Sequence, residues 1–274
     1  MLSISTNISA LMASAEISSI NIAMEDSMER MSTGKRINGA RDDSAGLAIS
    51  SRLNSSLIGL RQGIKNAMDA SALLNTAEGA LNEVENIVQS IREIWVQAAN
   101  DTNSAADRTN LNTQAQQLLV EVDHIARSTA WAGQNLLDGT FTNKTFLIGS
   151  EATDADKITI SINIPSFVEL GVDYSVEVTS ATARTHISVL DEAMQVLNSL
   201  RGELGASINQ ISHVIESNTN AASNLAQSIS RIDDADYAVE ATSLARFQIL
   251  QQAATTILAQ ANASKQNVVT LIQG

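Results

Sequence analysis

Between residues 187 and 232, apolar side chains recur at alternating steps of three and four: Ile187, Leu190, Met194, Leu197, Leu204, Ile208, Ile211, Ile215, Ala222, Leu225, Ile229 and Ile232. Arg201 and Asn218 interrupt the series without shifting its phase. This heptad seam predicts one helix of about 46 residues, roughly 70 Å long at 1.5 Å per residue. A matching seam precedes it: Ile64, Ala67, Ala70, Leu74, Ala77, Leu81, Val84, Val88, Ile91, Trp95 and Ala98. Leu73, Ala80, Ile87 and Ile94 flank that seam at seven-residue spacing and widen it to a stripe able to meet more than one neighbouring helix. The fold class predicted is mainly α, a long antiparallel helical bundle or coiled-coil rod.

A shorter helix is expected after the polar turn "NDTNSAADRT", with Leu111, Ala115, Leu118, Val122 and Ile125 on one face. It ends at "WAGQNLLDG", where Gly133 and Gly139 supply the positive φ that a helix end and a turn require. The period then falls to two. "KITISINI" alternates Ile158, Ile160, Ile162 and Ile164 with polar residues, "TFLIG" precedes it and "YSVEV" follows. A β-hairpin with room for a third strand is predicted within about 141–179, closed by Pro165 and Gly171.

The two ends of the chain share a different pattern. Residues 1–24 carry one charge, Glu16, and residues 247–274 carry one, Lys265, although 17% of the whole chain is charged. Helical periodicity persists in both, through Ile17, Ile20, Met24, Met28 and Met31 at the start and Leu250, Ala254, Ile257, Ala261, Ser264, Val268 and Leu271 at the finish. Off these stripes stand mainly Ser, Thr, Asn, Gln and Ala, which face another protein without the cost of burying charge. Both ends are therefore expected to be largely disordered in the monomer and to fold as a pair when several copies of the chain pack together.

Composition narrows the function classes. A net charge of −13 and the lack of any basic cluster argue against nucleic acid or an anionic membrane as partner. One proline leaves the helices uninterrupted, and 3% aromatic residues suit thin helices better than a thick core. The chain has no cysteine, hence no disulfide or thiolate metal site. The first 24 residues have neither a basic n-region nor an apolar h-region, so export is expected to use a route without a cleaved signal peptide.

Candidate chemistry is sparse. His124, His186 and His213 are scattered, with no nucleophile or metalloprotease spacing around them, so no enzyme and no cofactor are expected. Asp42, Asp43 and Ser44, like Asp233, Asp234, Asp236 and Glu240, read as acidic groups at helix N-termini rather than catalytic pairs. Asp154 and Asp156 read as solvated turn residues in preference to a metal site, since Ca²⁺ takes six or more oxygens. Asn218 reads as a register-setting polar position in the seam, and Arg201 as a partly exposed or paired one.

Four stretches carry a family resemblance: "TGKRINGARDDSAGLAISSRL" (33–53), "IARSTAWAGQNLLDG" (125–139), "RGELGASINQI" (201–211) and "RIDDADYAVEATSLARFQILQQAATTILAQAN" (231–262). Together they resemble bacterial flagellin, in the family's order and over nearly the whole chain. Trp131-Ala132 stands where Phe-Asn is usual, and Ser264-Lys265 replaces residues that usually include a proline. The resemblance implies a subunit of the bacterial flagellar filament, exported unfolded through the flagellar type III channel to the cell exterior. It implies three segments: 1–43 and 235–274 as the two halves of an inner helical core, and 44–234 as a rod-like domain with the hairpin. The self-assembly core would comprise Ile4, Ile8, Leu11, Ile17, Ile20, Met24, Leu250, Ala254, Ile257, Ala261, Val268 and Leu271. Implied partners are further copies of the chain, the flagellar export chaperone, and the cap and hook-junction proteins. Gln89, Ile91, Arg92 and Glu93 match a motif that engages the innate receptor Toll-like receptor 5 in many flagellins. Ser90 stands where arginine is common there, so subunit packing ranks ahead of receptor recognition for that face. With about 40 residues between hairpin and last helix, a compact form without large outer domains is expected. A hook–filament junction protein and a soluble coiled-coil adaptor are the rival readings.

Overall fold

A computed structural model describes residues 6–151, 153–162 and 179–273. Five helices dominate: α1 (Ile8–Thr33), α2 (Ser44–Ala98), α3 (Ala105–Ser128), α4 (Ser180–Asp233) and α5 (Tyr237–Gln273). Among the described residues between α3 and α4 are four short strands, β1 (Ala130–Trp131), β2 (Gln134–Asn135), β3 (Lys144–Leu147) and β4 (Lys157–Ile160), with a 3₁₀ turn at Asp154–Asp156. The mainly helical class with a small antiparallel insert is as predicted. Ile164, Pro165, Gly171 and the expected third strand "YSVEV" lie outside the described residues. The chain divides into two compact units, Met1–Ser55 with Asn224–Gly274, and Ser56–Ser223.

In the Ser56–Ser223 unit, the two seams form the core. Of the α2 seam only Ile64 is not fully buried, and Leu73, Ile87 and Ile94 of the flanking stripe are buried beside it. Leu190, Leu197, Leu204 and Ile211 of α4 meet them, and α3 adds Ala115 and Val122. Ion pairs fix α2 and α4 antiparallel: Arg92 to Asp191 at 2.7 Å, Arg201 to Glu78 at 2.7 Å, and Arg201 also to Glu85. The arginine that breaks the heptad is thus a paired residue. Trp95 stacks against His186 with ring centroids 4.6 Å apart.

Local chemistry sets the boundaries of α3. Ser104 and Asp107 form a reciprocal capping box, each side chain accepting from the other's backbone N–H. Arg108 reaches back to donate to the Ala98 carbonyl at 3.0 Å, one of the acceptors that the end of α2 leaves open. After α3, β1 and β2 pair with Trp131 opposite Gln134, leaving Ala132-Gly133 as a two-residue turn. Both turn residues have positive φ, 48° and 81°, the combination of a type I′ hairpin. The sequence reading placed a helix end and a turn here, but not the strand pair.

β3 and β4 pair antiparallel with Lys144 opposite Ile160 and Leu147 opposite Lys157, and Ile158, Ile160 and Ile162 point into the core. Asp156 organises the connection, accepting from the Glu151 N–H at 3.2 Å and the Thr153 hydroxyl at 3.0 Å, while Asp154 pairs with Lys157. The end of β3 is seated on two helices. Asn66 of α2 donates to the Leu147 carbonyl at 2.8 Å, and Asn218 of α4 donates to the next carbonyl, Ile148, at 2.7 Å. This is the reason for the polar residue in the α4 seam. Gly63 lets the strand approach, because a methyl there would run into the Ile148 carbonyl oxygen.

Two predictions follow from these contacts. Gly63→Ala is expected to destabilise the fold by about 1–3 kcal/mol through overpacking, whereas Gly79→Ala, where nothing lies within 4 Å, is expected to stabilise it by about 0.5–1 kcal/mol through helix propensity. Parallel denaturant melts of the two variants check the contrast, and similar shifts in both would contradict the seating of the strand on Gly63. Ala132 pays for a left-handed backbone that asparagine adopts more readily, so Ala132→Asn is expected to raise stability by up to about 1 kcal/mol. A thermal melt unchanged or lowered by that substitution would count against the type I′ turn.

Candidate functional site

The Met1–Ser55 and Asn224–Gly274 unit holds the two charge-poor ends, which pair antiparallel as α1 and α5. Three contacts fix their register. Near one end, the Asn7 side chain caps α1 by accepting from the Ala10 N–H and donates across to the Ala261 carbonyl at 3.2 Å. Midway, Gln251 donates to Asn21 at 2.8 Å. Toward the other end Arg30 pairs with Glu240 at 3.3 Å, with the glutamate almost buried. The contacts advance along α1 as they retreat along α5, without slippage.

Ile20 and Ala254 are buried in the seam, and Ile17, Met24 and Ala261 are half-buried. The remaining described members of the predicted core face outward: Ile8 is 60% exposed, Leu11 62%, Leu250 38% and Ile257 61%. Met12, Ile22 and Met28 of α1, and Tyr237, Val239 and Ile249 of α5, are exposed as well. Ile4 lies outside the described residues, as do the side chains of Val268 and Leu271. The predicted set therefore splits into an intrachain seam and an exposed apolar surface bearing few charges. Such a surface loses free energy in water, and a second protein face can cover it without desolvating ions.

The chain segments at the foot of the pair are clasped. Gly34 ends α1 in a left-handed conformation, φ 70°, and its carbonyl accepts from the Ala235 N–H at 3.0 Å. Lys35 and Asp234 form a β-bridge, and the Arg36 N–H donates to the Asp233 carbonyl at 2.6 Å. The buried Asp233 carboxylate pairs with Lys35 at 2.9 Å. That hydrogen bond, with the Coulombic attraction behind it, raises the Lys35 pKa above the ordinary lysine value. Asp236 caps α5 by accepting from the Ala238 N–H at 2.9 Å, and Asp43 caps α2 by accepting from the Gly46 N–H at 2.8 Å. The acidic groups at 42–43 and 233–240 thus serve caps and clasps. This clasp has no periodic signature.

The face read from the receptor motif is mixed. Gln89 and Glu93 are exposed, Arg92 is engaged with Asp191, and Ile91 is fully buried in the helical core, turned inward by its place in the α2 seam. Ser90 donates its hydroxyl to the Asn86 carbonyl. Among the described residues no group of three or more His, Cys, Asp or Glu side chains could hold a metal. No helix of the described residues is long and apolar enough to cross a membrane.

Comparison with known proteins accounts for this arrangement. The bacterial flagellin N-terminal helical region matches residues 4–142, and the bacterial flagellin C-terminal helical region matches residues 187–272. Polar flagellin F of Vibrio parahaemolyticus is 32% identical, with 99% of each chain covered, over 374 aligned positions against 274 residues here. Flagellin of Bacillus subtilis is 34% identical, covering 98% of this chain and 99% of its own. Among solved structures, Bacillus cereus flagellin is 31% identical with a TM-score of 0.50, covering 60% of this chain and 94% of its own. A putative flagellar hook-associated protein from Vibrio parahaemolyticus shares the fold, with a TM-score of 0.60 at 12% identity, covering 70% of this chain and 100% of its own. With both terminal regions matched in chain order and relatives aligned end to end, this chain belongs to the bacterial flagellin family, as a compact structural subunit of the flagellar filament.

Proposed function

We propose that the exposed apolar surface of the α1–α5 pair is what drives polymerisation, with residues 1–43 and 235–274 forming the inner helical core of the filament and 44–234 the rod-like layer around it. The observation that carries this reading is the exposure of large apolar side chains, Leu11 and Ile257 among them, on the charge-poor stretches 1–24 and 247–274. Burying each such side chain between copies is worth about 1.5–3 kcal/mol, and repetition along a polymer supplies many such contacts per subunit. Ile8, Leu11, Leu250 and Ile257 act between copies, whereas Ile17, Ile20, Met24, Ala254 and Ala261 hold the pair within one copy. Ile4, Val268 and Leu271 belong to the same proposed assembly set by their place in the sequence.

The finer partners follow from family membership: a flagellar export chaperone that covers these apolar faces before secretion, and cap and hook-junction proteins at the filament ends. Passage through the flagellar type III channel is supported by the cysteine-free sequence, which needs no oxidation to fold outside the cell. For the face around Gln89, Arg92 and Glu93 we favour packing between subunits over recognition by an innate receptor, because Arg92 is committed to Asp191 and Ser90 replaces an arginine. The likeness to a hook-associated protein is one of fold, and it does not displace the filament reading.

Ile257→Glu and Leu11→Glu are expected to abolish seeded polymerisation, seen by sedimentation and electron microscopy, while the monomer keeps its helical circular dichroism; Ile257→Leu should polymerise normally. Tubes formed by both glutamate variants at the wild-type rate would overturn the assignment. Amide exchange supplies a second check. In the dilute monomer, α1 and α5 are expected to exchange faster than the buried seams of α2 and α4, and in the polymer to become protected.

A further inference from the structure

Asn38 and Gly39 are adjacent in the segment that joins α1 to α2. An asparagine before glycine is open to attack on its own side chain, because glycine has no Cβ to hinder the approach of its backbone nitrogen. Here three hydrogen bonds restrain the pair. The Gly39 N–H donates to Asp42 Oδ2 at 3.0 Å, the Asn38 N–H donates to the same oxygen at 3.0 Å, and Asn38 Nδ2 donates to the Lys35 carbonyl at 3.1 Å. The Asp42 N–H closes the loop by donating to the Gly39 carbonyl at 3.1 Å.

We propose that Asn38 is a latent deamidation site, and that the Asp42 carboxylate keeps it latent by holding the Gly39 amide. In the reaction, the Gly39 nitrogen gives up its proton to solvent base and bonds to Asn38 Cγ. The Cγ–Nδ2 bond breaks, and Nδ2 departs as ammonia after gaining a proton from water. The resulting five-membered imide adds one water, opening to aspartate or isoaspartate at position 38. An N–H donated to a carboxylate is stabilised in its protonated form and is tied to a different carbonyl carbon's substituent, so attack requires the loop to open first. The two backbone hydrogen bonds to Asp42 lower its pKa below the ordinary carboxylate value, which leaves it ionised and accepting at neutral pH. Water for the hydrolytic step has access, since Asn38 lines an open cavity of about 430 Å³ together with Lys35 and Asp233. The product cannot revert to the same loop, because a carboxylate at position 38 has no proton to donate to the Lys35 carbonyl and sets a second negative charge beside Asp42.

The test incubates the full chain at mildly alkaline pH and follows Asp and isoAsp at position 38 by mass spectrometry. Folded wild type should convert slowest, Asp42→Ala about tenfold faster because hydrogen bonds to a charged acceptor are lost, and wild type in urea at least as fast as that variant. Asp107→Ala removes the capping box of α3 and should leave the rate at Asn38 unchanged. An Asp42→Ala rate equal to or below that of wild type, or an Asp107→Ala rate as high as that of Asp42→Ala, would overturn the proposal. The first result would make Asp42 a bystander or a base, and the second would make the effect one of general destabilisation.

Discussion

The antiparallel contact between α1 and α5 is the interaction on which the unit that holds both chain ends depends. From Ile8 to Met24 α1 carries only Glu16, and from Phe247 onward α5 carries only Lys265, so these stretches lack the usual means by which a helix face stays content in water. Pairing satisfies them only in part. Ile20 and Ala254 are buried along the seam, and polar contacts from Asn7, Asn21 and Arg30 fix its register. Two helices can cover at most one stripe of each other, so an all-round apolar or small-polar composition leaves surface uncovered. On the proposed function, further copies cover what the pair cannot.

Bringing the two chain ends side by side places a demand on the segments that lead into them. Gly34 takes the left-handed conformation that turns the chain out of α1, and residues 34–36 then bond backbone to backbone with 233–235. Burying Asp233 there is tolerated because Lys35 neutralises it, and Asp236 and Asp43 cap the helices that depart on either side.

Much of this was legible in the sequence, and the reason is periodicity. The seams through Ala67 to Ala98 and Leu190 to Ile211 are buried as their spacing indicated, and the alternation at Ile158, Ile160 and Ile162 yielded strand and core positions. What escaped notice involves single residues whose partners are distant in sequence. Gly63 looks like an ordinary helix interior until the Ile148 carbonyl is set against it, and the Ala132-Gly133 turn lacks the asparagine that marks a type I′ hairpin. Ile91 was read with an exposed motif although its own heptad position turns it inward. For the terminal helices, spacing identified the stripes but not which members face the partner helix, since both sides of each helix are apolar or small.

The two interruptions of the α4 heptad show why long apolar seams carry a few polar members. A seam of leucines, isoleucines and alanines packs almost equally well if one helix slides by a heptad, because like residues recur at the same spacing. Arg201 removes that degeneracy. In the observed register it meets Glu78 and Glu85, which are one heptad apart on the same face of α2. A slide of one heptad in one direction would set it against Glu85 and Arg92, trading one attraction for a repulsion, and in the other direction against Ser71 and Glu78, leaving Glu85 unpaired. Asn218 acts in the same way through the hairpin, since its amide has an acceptor only where the Ile148 carbonyl reaches α4. Apolar burial therefore supplies the cohesion of this unit, and these two polar residues select which of several similar apolar alignments is the native one.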